Sequence, residues 1–170
     1  MVVLLMGVSG TGKTTVGHLL ASELVCDFAD GDDYHPAANV EKMRSGIPLT
    51  DADRDPWLKA LRQLIAGWVG TGKNAVLACS ALRRAYRDVL RISPEVRLVY
   101  LRGTPKLLQQ RLHARRGHFM TERMLQSQLE TLEEPKESEQ ALVVDIDQSP
   151  AQIVAEIRAK LRPAENRNQH

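Results

Sequence analysis

No run of the 170 residues stays apolar long enough to cross a bilayer, which takes ~20 residues in a helix. The opening apolar stretch, Val2-Val3-Leu4-Leu5-Met6, leads directly into a glycine-rich loop. Cleaving it as a secretion signal would destroy that loop's setting, so the chain is expected in the cytoplasm, without a membrane partner. An excess of charge is also missing. The 23 Lys+Arg and 21 Asp+Glu leave +2, which gives no support for bulk attraction to nucleic acid or membranes. Cysteine is scarce: Cys26 and Cys79 each fall within a predicted strand, as buried thiols in a reducing compartment rather than a disulfide framework. There is no N-K-x-D element and no D-x-x-G after the loop, so a regulatory GTPase is disfavoured. Repeats and low-complexity tracts are absent. With 43% hydrophobic and 26% charged residues, the chain reads as one globular domain, 1–170, with a sizeable core.

The organising stretch is Gly7-Val8-Ser9-Gly10-Thr11-Gly12-Lys13-Thr14, which fits G-x-x-x-x-G-K-[ST] without mismatch. A strand precedes it, and Val16, Leu19, Leu20 and Leu24 follow at helical spacing. That strand–loop–helix setting marks a phosphate-binding loop. Gly7, Gly10 and Gly12 let the backbone bring its N–H groups to an anion, and the helix start adds its own unpaired donors. Lys13 would reach the β- and γ-phosphates, and the Thr14 hydroxyl would ligate magnesium. The expected ATP-binding set is Gly7, Ser9, Gly10, Thr11, Gly12, Lys13, Thr14 and Thr15.

Short Val/Leu-rich runs at residues 2–6, 26–30, 75–80, 97–101 and 141–146 read as strands buried on both faces. Helical segments at 14–24, 53–69, 83–91, 105–115, 121–132 and 151–161 separate them. This alternation implies an α/β fold with a mainly parallel sheet and its ligands at the carboxyl ends of the strands. Residues 7–14, 30–32, 80–87 and 102 onward then share one rim. A helical flap is expected at about 36–70, a lid at about 111–132 and a frayed tail at 162–170.

Asp30 and Asp32, at the end of the second strand, could hold magnesium through water or accept a proton from a substrate hydroxyl. An Asx-rich turn is the alternative. His35 opens the flap, Thr50 or Asp51 would cap a helix, and Trp57 would turn inward. Arg54 would either pair locally with Asp51 or Asp55 or face the cleft and bind an anionic group. Three arginines, Arg83, Arg84 and Arg87, crowd a strand–helix junction. On a helix Arg83 and Arg87 would share a face, and bidentate capture of a carboxylate is their natural use, with Arg87 favoured. Arg111 and Arg115 begin a second basic cluster, suited to a lid that neutralises a transferring phosphoryl group.

Several segments are similar to a known family. Asp30-Gly31-Asp32-Asp33-Tyr34-His35-Pro36, Pro48-Leu49-Thr50-Asp51-Ala52-Asp53-Arg54, Cys79-Ser80-Ala81-Leu82-Arg83, Arg115-Arg116-Gly117-His118-Phe119 and Gln128-Leu129-Glu130-Thr131-Leu132, with the phosphate loop, resemble bacterial-type gluconokinase. The resemblance spans residues 2 to about 161. It implies a nucleoside-monophosphate-kinase-like fold with strand order 2-3-1-4-5. It also implies ATP-dependent, magnesium-assisted phosphorylation of D-gluconate at its 6-hydroxyl, in sugar-acid catabolism, and a homodimer. On that resemblance Asp32 is the base or hydroxyl-orienting group and Asp30 supports magnesium through water. His35, Arg54, Arg87 and His118 surround gluconate; Arg83 is the second choice after Arg87 from the arginine-rich junction itself. Arg111 and Arg115 act from the lid, and the loop bearing Gln148 and Pro150 passes near adenine. A shikimate-kinase-like enzyme and a nucleotide-sensing protein without catalysis are the competing readings.

Overall fold

In a computed structural model, which describes residues 1–115 and 121–162, five parallel strands run β1 (Val2–Met6), β2 (Asp27–Asp30), β3 (Ala75–Ala78), β4 (Val96–Arg102) and β5 (Leu142–Asp145). Their order across the sheet is β2-β3-β1-β4-β5, as the family resemblance implies. β1 is central: Val2 pairs with Ala75 on one side and Val96 on the other. All five of its residues are buried. Because strand side chains alternate, Val3 and Leu5 enter one core and Val2, Leu4 and Met6 the other.

The first core is closed by α1 (Lys13–Leu24) and α7 (Pro150–Leu161), with Val16, Leu20, Ile153, Val154 and Ile157 packed on the sheet. α5 (Pro105–Ala114) and α6 (Glu122–Thr131) add Leu108 and Leu125 at its upper edge. The second core is closed by α3 (Asp51–Gly70) and α4 (Arg84–Leu90). α3 starts at Thr50, whose hydroxyl accepts from the Asp53 N–H while the Asp53 carboxylate accepts from the Thr50 N–H, a reciprocal cap. Asp51 is therefore the first helical residue, not the cap. Leu61, Ile65 and Trp68 lie in the sheet core, so the second half of the 36–70 segment is part of the fold's base. Its first half, α2 (Ala37–Arg44) and the turn into α3, buries only Asn39 on α2.

β1 matches its apolar run and β4 extends beyond its own, whereas β2, β3 and β5 are shorter than theirs. Cys26 precedes β2 and Cys79 follows β3; both are free thiols, Cys26 only half-buried. Among the described residues no helix is long and apolar enough to cross a membrane. The expected tail beyond residue 162 and residues 116–120 of the expected lid lie outside the described residues.

Candidate active site

A cleft of about 600 Å³ opens at the carboxyl ends of β1, β2 and β3. Its floor is the phosphate loop. Gly7 must be glycine because a Cβ there would meet the Leu101 carbonyl oxygen at 2.9 Å and the Thr11 hydroxyl at 2.8 Å. Gly12 caps α1 with φ of 87°, a left-handed conformation costly for other residues. It offers no side-chain cap, so the first N–H groups of α1 stay available to an anion. Lys13 folds back onto the loop, its Nζ donating to the carbonyls of Gly7 (2.8 Å) and Val8 (3.1 Å). Burial lowers its pKa, while Asp32 pulls the other way. Ser9, Gly10, Gly12, Thr14 and Thr15 line the cleft, whereas Thr11 is buried with its hydroxyl on the Val8 carbonyl.

Asp30 ends β2 and shapes the turn after it. Its Oδ2 accepts from the Thr14 hydroxyl at 2.8 Å and its Oδ1 from the Asp32 N–H at 3.0 Å, starting a 3₁₀ turn at Gly31–Tyr34. Asp32 thus stands on a short, fixed turn facing Lys13. Its surface opens to the cleft, but protein flanks the carboxyl on most sides. That partial desolvation, then the charge of Asp30, raises its pKa above the ordinary carboxylate value, and Lys13 opposes them. Such a carboxylate is a better proton acceptor than a fully solvated one.

The flap wall carries His35, Arg54 and Trp57. The His35 ring stacks on Trp57, centroids 4.4 Å apart and planes 10° from parallel. Trp57 Nε1 donates to the Gly31 carbonyl at 2.7 Å, so the same indole steadies the turn that bears Asp32. Burial, and then the charge of Arg54, lower the His35 pKa to about 4. Arg54 Nη1 donates to the Tyr86 hydroxyl at 3.2 Å and lies over that ring, while Asp51 is 3.9 Å away. Tyr86 donates in turn to Asp51 at 2.5 Å. Arg54 keeps a face on the cleft, so both expectations for it, local pairing and cleft exposure, hold together.

The arginine-rich junction differs from its expectation. Arg83 is the extended cap residue before α4, not part of the helix, so it does not share a face with Arg87. It reaches Asp51 at 3.5 Å and does not line the cleft. Arg87 is fully buried. Its Nε and Nη2 grip both oxygens of Glu139 at 2.6 and 2.9 Å, and Nη1 donates to the carbonyls of Ala81 and Leu82. A guanidinium so occupied has no fork left for a substrate carboxylate, so Arg87 is a structural residue. Of the arginines expected in a lid, Arg115 lines the cleft. Arg111 instead braces the phosphate loop, donating to the carbonyls of Gly10 (3.2 Å) and Ile146 (2.8 Å). Gln148 is held by the Asp145 carbonyl and Glu156, Pro150 is the first residue of α7, and neither lines the cleft. His118 lies outside the described residues.

Two cleft residues were given no role from the sequence, although Gln128 opens a segment shared with the family. Tyr86 holds Arg54 from another helix. Gln128 on α6 clasps Ser9, its Oε1 accepting from the Ser9 N–H at 2.7 Å and its Nε2 donating to the hydroxyl at 3.1 Å. These partners are 119 residues apart, so spacing could not have paired them.

A family model described as shikimate kinase matches residues 9–162. The thermoresistant gluconokinase of Escherichia coli (strain K12) is 48% identical over 89% of this chain and 87% of its own. The gluconokinase of Gluconobacter oxydans (strain 621H) is 46% identical, covering 89% and 86%. The crystal structure of a gluconokinase from Sinorhizobium meliloti 1021 superposes with a TM-score of 0.84 at 45% identity, covering 92% of this chain and 89% of that one.

Proposed function

The chain belongs to the gluconokinase family, and we propose how its cleft performs the reaction. The reaction is ATP-dependent transfer of a phosphoryl group to the 6-hydroxyl of D-gluconate, giving 6-phospho-D-gluconate for sugar-acid catabolism. The observation that carries the assignment of roles is that Lys13 and Asp32 line one cleft together with Arg54 and His35.

ATP docks its phosphates on the N–H groups of the loop and of α1, and Lys13 leaves the Gly7 and Val8 carbonyls for the phosphate oxygens. Asp32 accepts a hydrogen bond from the attacking hydroxyl and orients it. In a loose transition state this orientation matters more than full proton removal. Gluconate carries a carboxylate and a row of hydroxyls. Arg54, held by a neutral phenol, is suited to the first; His35 is suited to the second. Arg115 adds positive charge from the lid, and His118 belongs to the same proposal. Arg111 and Gln148 act indirectly, by bracing the loop and the β5–α7 turn.

Magnesium is expected with the nucleotide. The donors at the mouth of the loop, Thr14 and Asp30, are oxygens 2.8 Å apart, the hard set magnesium takes together with water and phosphate. Thr14 would bind it directly and Asp30 through water, and the ion would neutralise charge developing on the phosphates. A homodimer in the cytoplasm completes the proposal.

The test is magnesium-dependent ADP release with D-gluconate, shikimate, glycerate, glucose or no acceptor. Stimulation by gluconate alone is expected. Stimulation by shikimate instead would replace the substrate and keep the kinase. Asp32→Ala should lose turnover by about 10²-fold or more, with ATP binding retained, and near-normal turnover would remove Asp32 from this role.

A further inference from the structure

Asn39 is one of few buried polar side chains, 3% exposed, and none of the roles above uses it. Its amide stands between two groups. Nδ2 donates to the main-chain oxygen of Asp53 at 2.7 Å and faces His35 Nδ1 at 3.3 Å. A main-chain carbonyl can only accept a hydrogen bond, so the contact with Asp53 decides which end of the amide is the NH2. The same NH2 then meets the imidazole, and a donor there requires a lone pair on Nδ1. In a neutral imidazole the proton must sit on Nε2.

The ring's remaining contacts agree with this. One face is taken by Trp57, which fixes the plane. Nε2 has no protein partner among the described residues, and the ring borders the cleft. Burial and the nearby Arg54 charge keep the ring neutral well above a pH of about 4, so the tautomer is meaningful at neutral pH.

We propose that Asn39 is a positioning residue of the acceptor site: it holds His35 as the Nε2–H tautomer, which donates one hydrogen bond to an acceptor oxygen of the sugar acid. Asp32 then takes a hydrogen bond from one substrate hydroxyl while His35 gives one to another oxygen, so the polyol is read with a direction. This rests on the gluconate reading of the cleft.

The experiment uses the full chain with ¹⁵N-labelled histidine and long-range ¹H–¹⁵N correlation at neutral pH, the His35 signals being assigned by their loss in His35→Gln. The wild type should show Nε2 protonated and Nδ1 bare. In Asn39→Asp the oxygen that replaces Nδ2 gives up the donation to the Asp53 carbonyl and accepts from the ring instead, so the proton should appear on Nδ1. The KM for gluconate should rise about tenfold, the loss of one hydrogen bond to a polar substrate, with kcat and the KM for ATP within about twofold. A wild-type His35 protonated on Nδ1 overturns the relay without recourse to Asn39→Asp. An unchanged gluconate KM in a folded Asn39→Asp overturns it as well. Wild-type protein with no gluconate turnover would overturn the function reading and the substrate half of this proposal, whereas turnover with the wrong tautomer would overturn the relay alone.

Discussion

Two arginine-bearing regions border the same cleft and spend their charge differently. At the β3–α4 junction Arg87 is wholly enclosed and its charge is matched by both oxygens of Glu139. At the flap Arg54 is held by a neutral phenol at 3.2 Å, with its nearest carboxylate at 3.9 Å and exposed to solvent. The first guanidinium is satisfied internally and ties α4 to the 133–140 segment, which also returns through Glu133 to the Leu82 carbonyl. The second is held by a phenol hydroxyl and only loosely by the exposed Asp51, which leaves it more charge to offer an anion in the proposed site. At this junction richness in arginine marks an internal ion pair rather than a free guanidinium.

The greatest loss falls on the fold side. Arg87→Ala leaves Glu139 buried and unpaired, a loss of about 3–5 kcal/mol, read as a lower urea midpoint. The double variant Arg87→Met with Glu139→Leu should recover much of it, because the desolvation penalty leaves with both charges. A stable Arg87→Ala protein with a raised gluconate KM would reverse the assignment of the two arginines. On the binding side, Arg54→Ala should keep the urea midpoint near the wild type. Its gluconate KM should rise about 10- to 100-fold, the range for a charge-assisted hydrogen bond.

Milder changes refine the contrast. Tyr86→Phe removes the hydroxyl that positions Arg54, so gluconate KM should rise about three- to tenfold, while kcat stays the same. The weakest effect concerns the flap's footing. Hydrogen bonds from Lys42, then from Thr50, hold the Asp53 carboxyl down at a pKa of about 2. Its unfolded value is about 3.9, so its stabilising contribution is complete above that pH and is lost as pH falls through about 2. Acid titration of unfolding free energy should show a shallower slope in Asp53→Asn than in the wild type, the remainder coming from other carboxylates held down by hydrogen bonds, such as Asp51 and Glu139.

The sheet was legible because strands buried on both faces declare themselves as Val/Leu runs, and the phosphate loop because its donors are consecutive in the chain. Asp30 and Asp32 followed from their place at a strand end. What was not legible is where a side chain finds its partner. Nothing near Arg87 announces Glu139, 52 residues on, so the most attractive arginine in the sequence was the wrong one. The shared face of Arg83 and Arg87 failed because the helix begins one residue late. Likewise Ser9 and Gln128, or Arg54 and Tyr86, meet only through the fold.

The clearest trial of the contrast is the preference for D-gluconate over D-glucitol, the open-chain polyol of equal length that lacks the carboxylate, in wild type, Arg54→Ala and folded Arg87→Met/Glu139→Leu. If Arg54 reads the carboxylate, kcat/KM for gluconate should far exceed that for glucitol in the wild type and in the double variant, and the preference should collapse in Arg54→Ala. A preference that survives the loss of Arg54 and disappears with Arg87 would refute this division of roles between the two arginines.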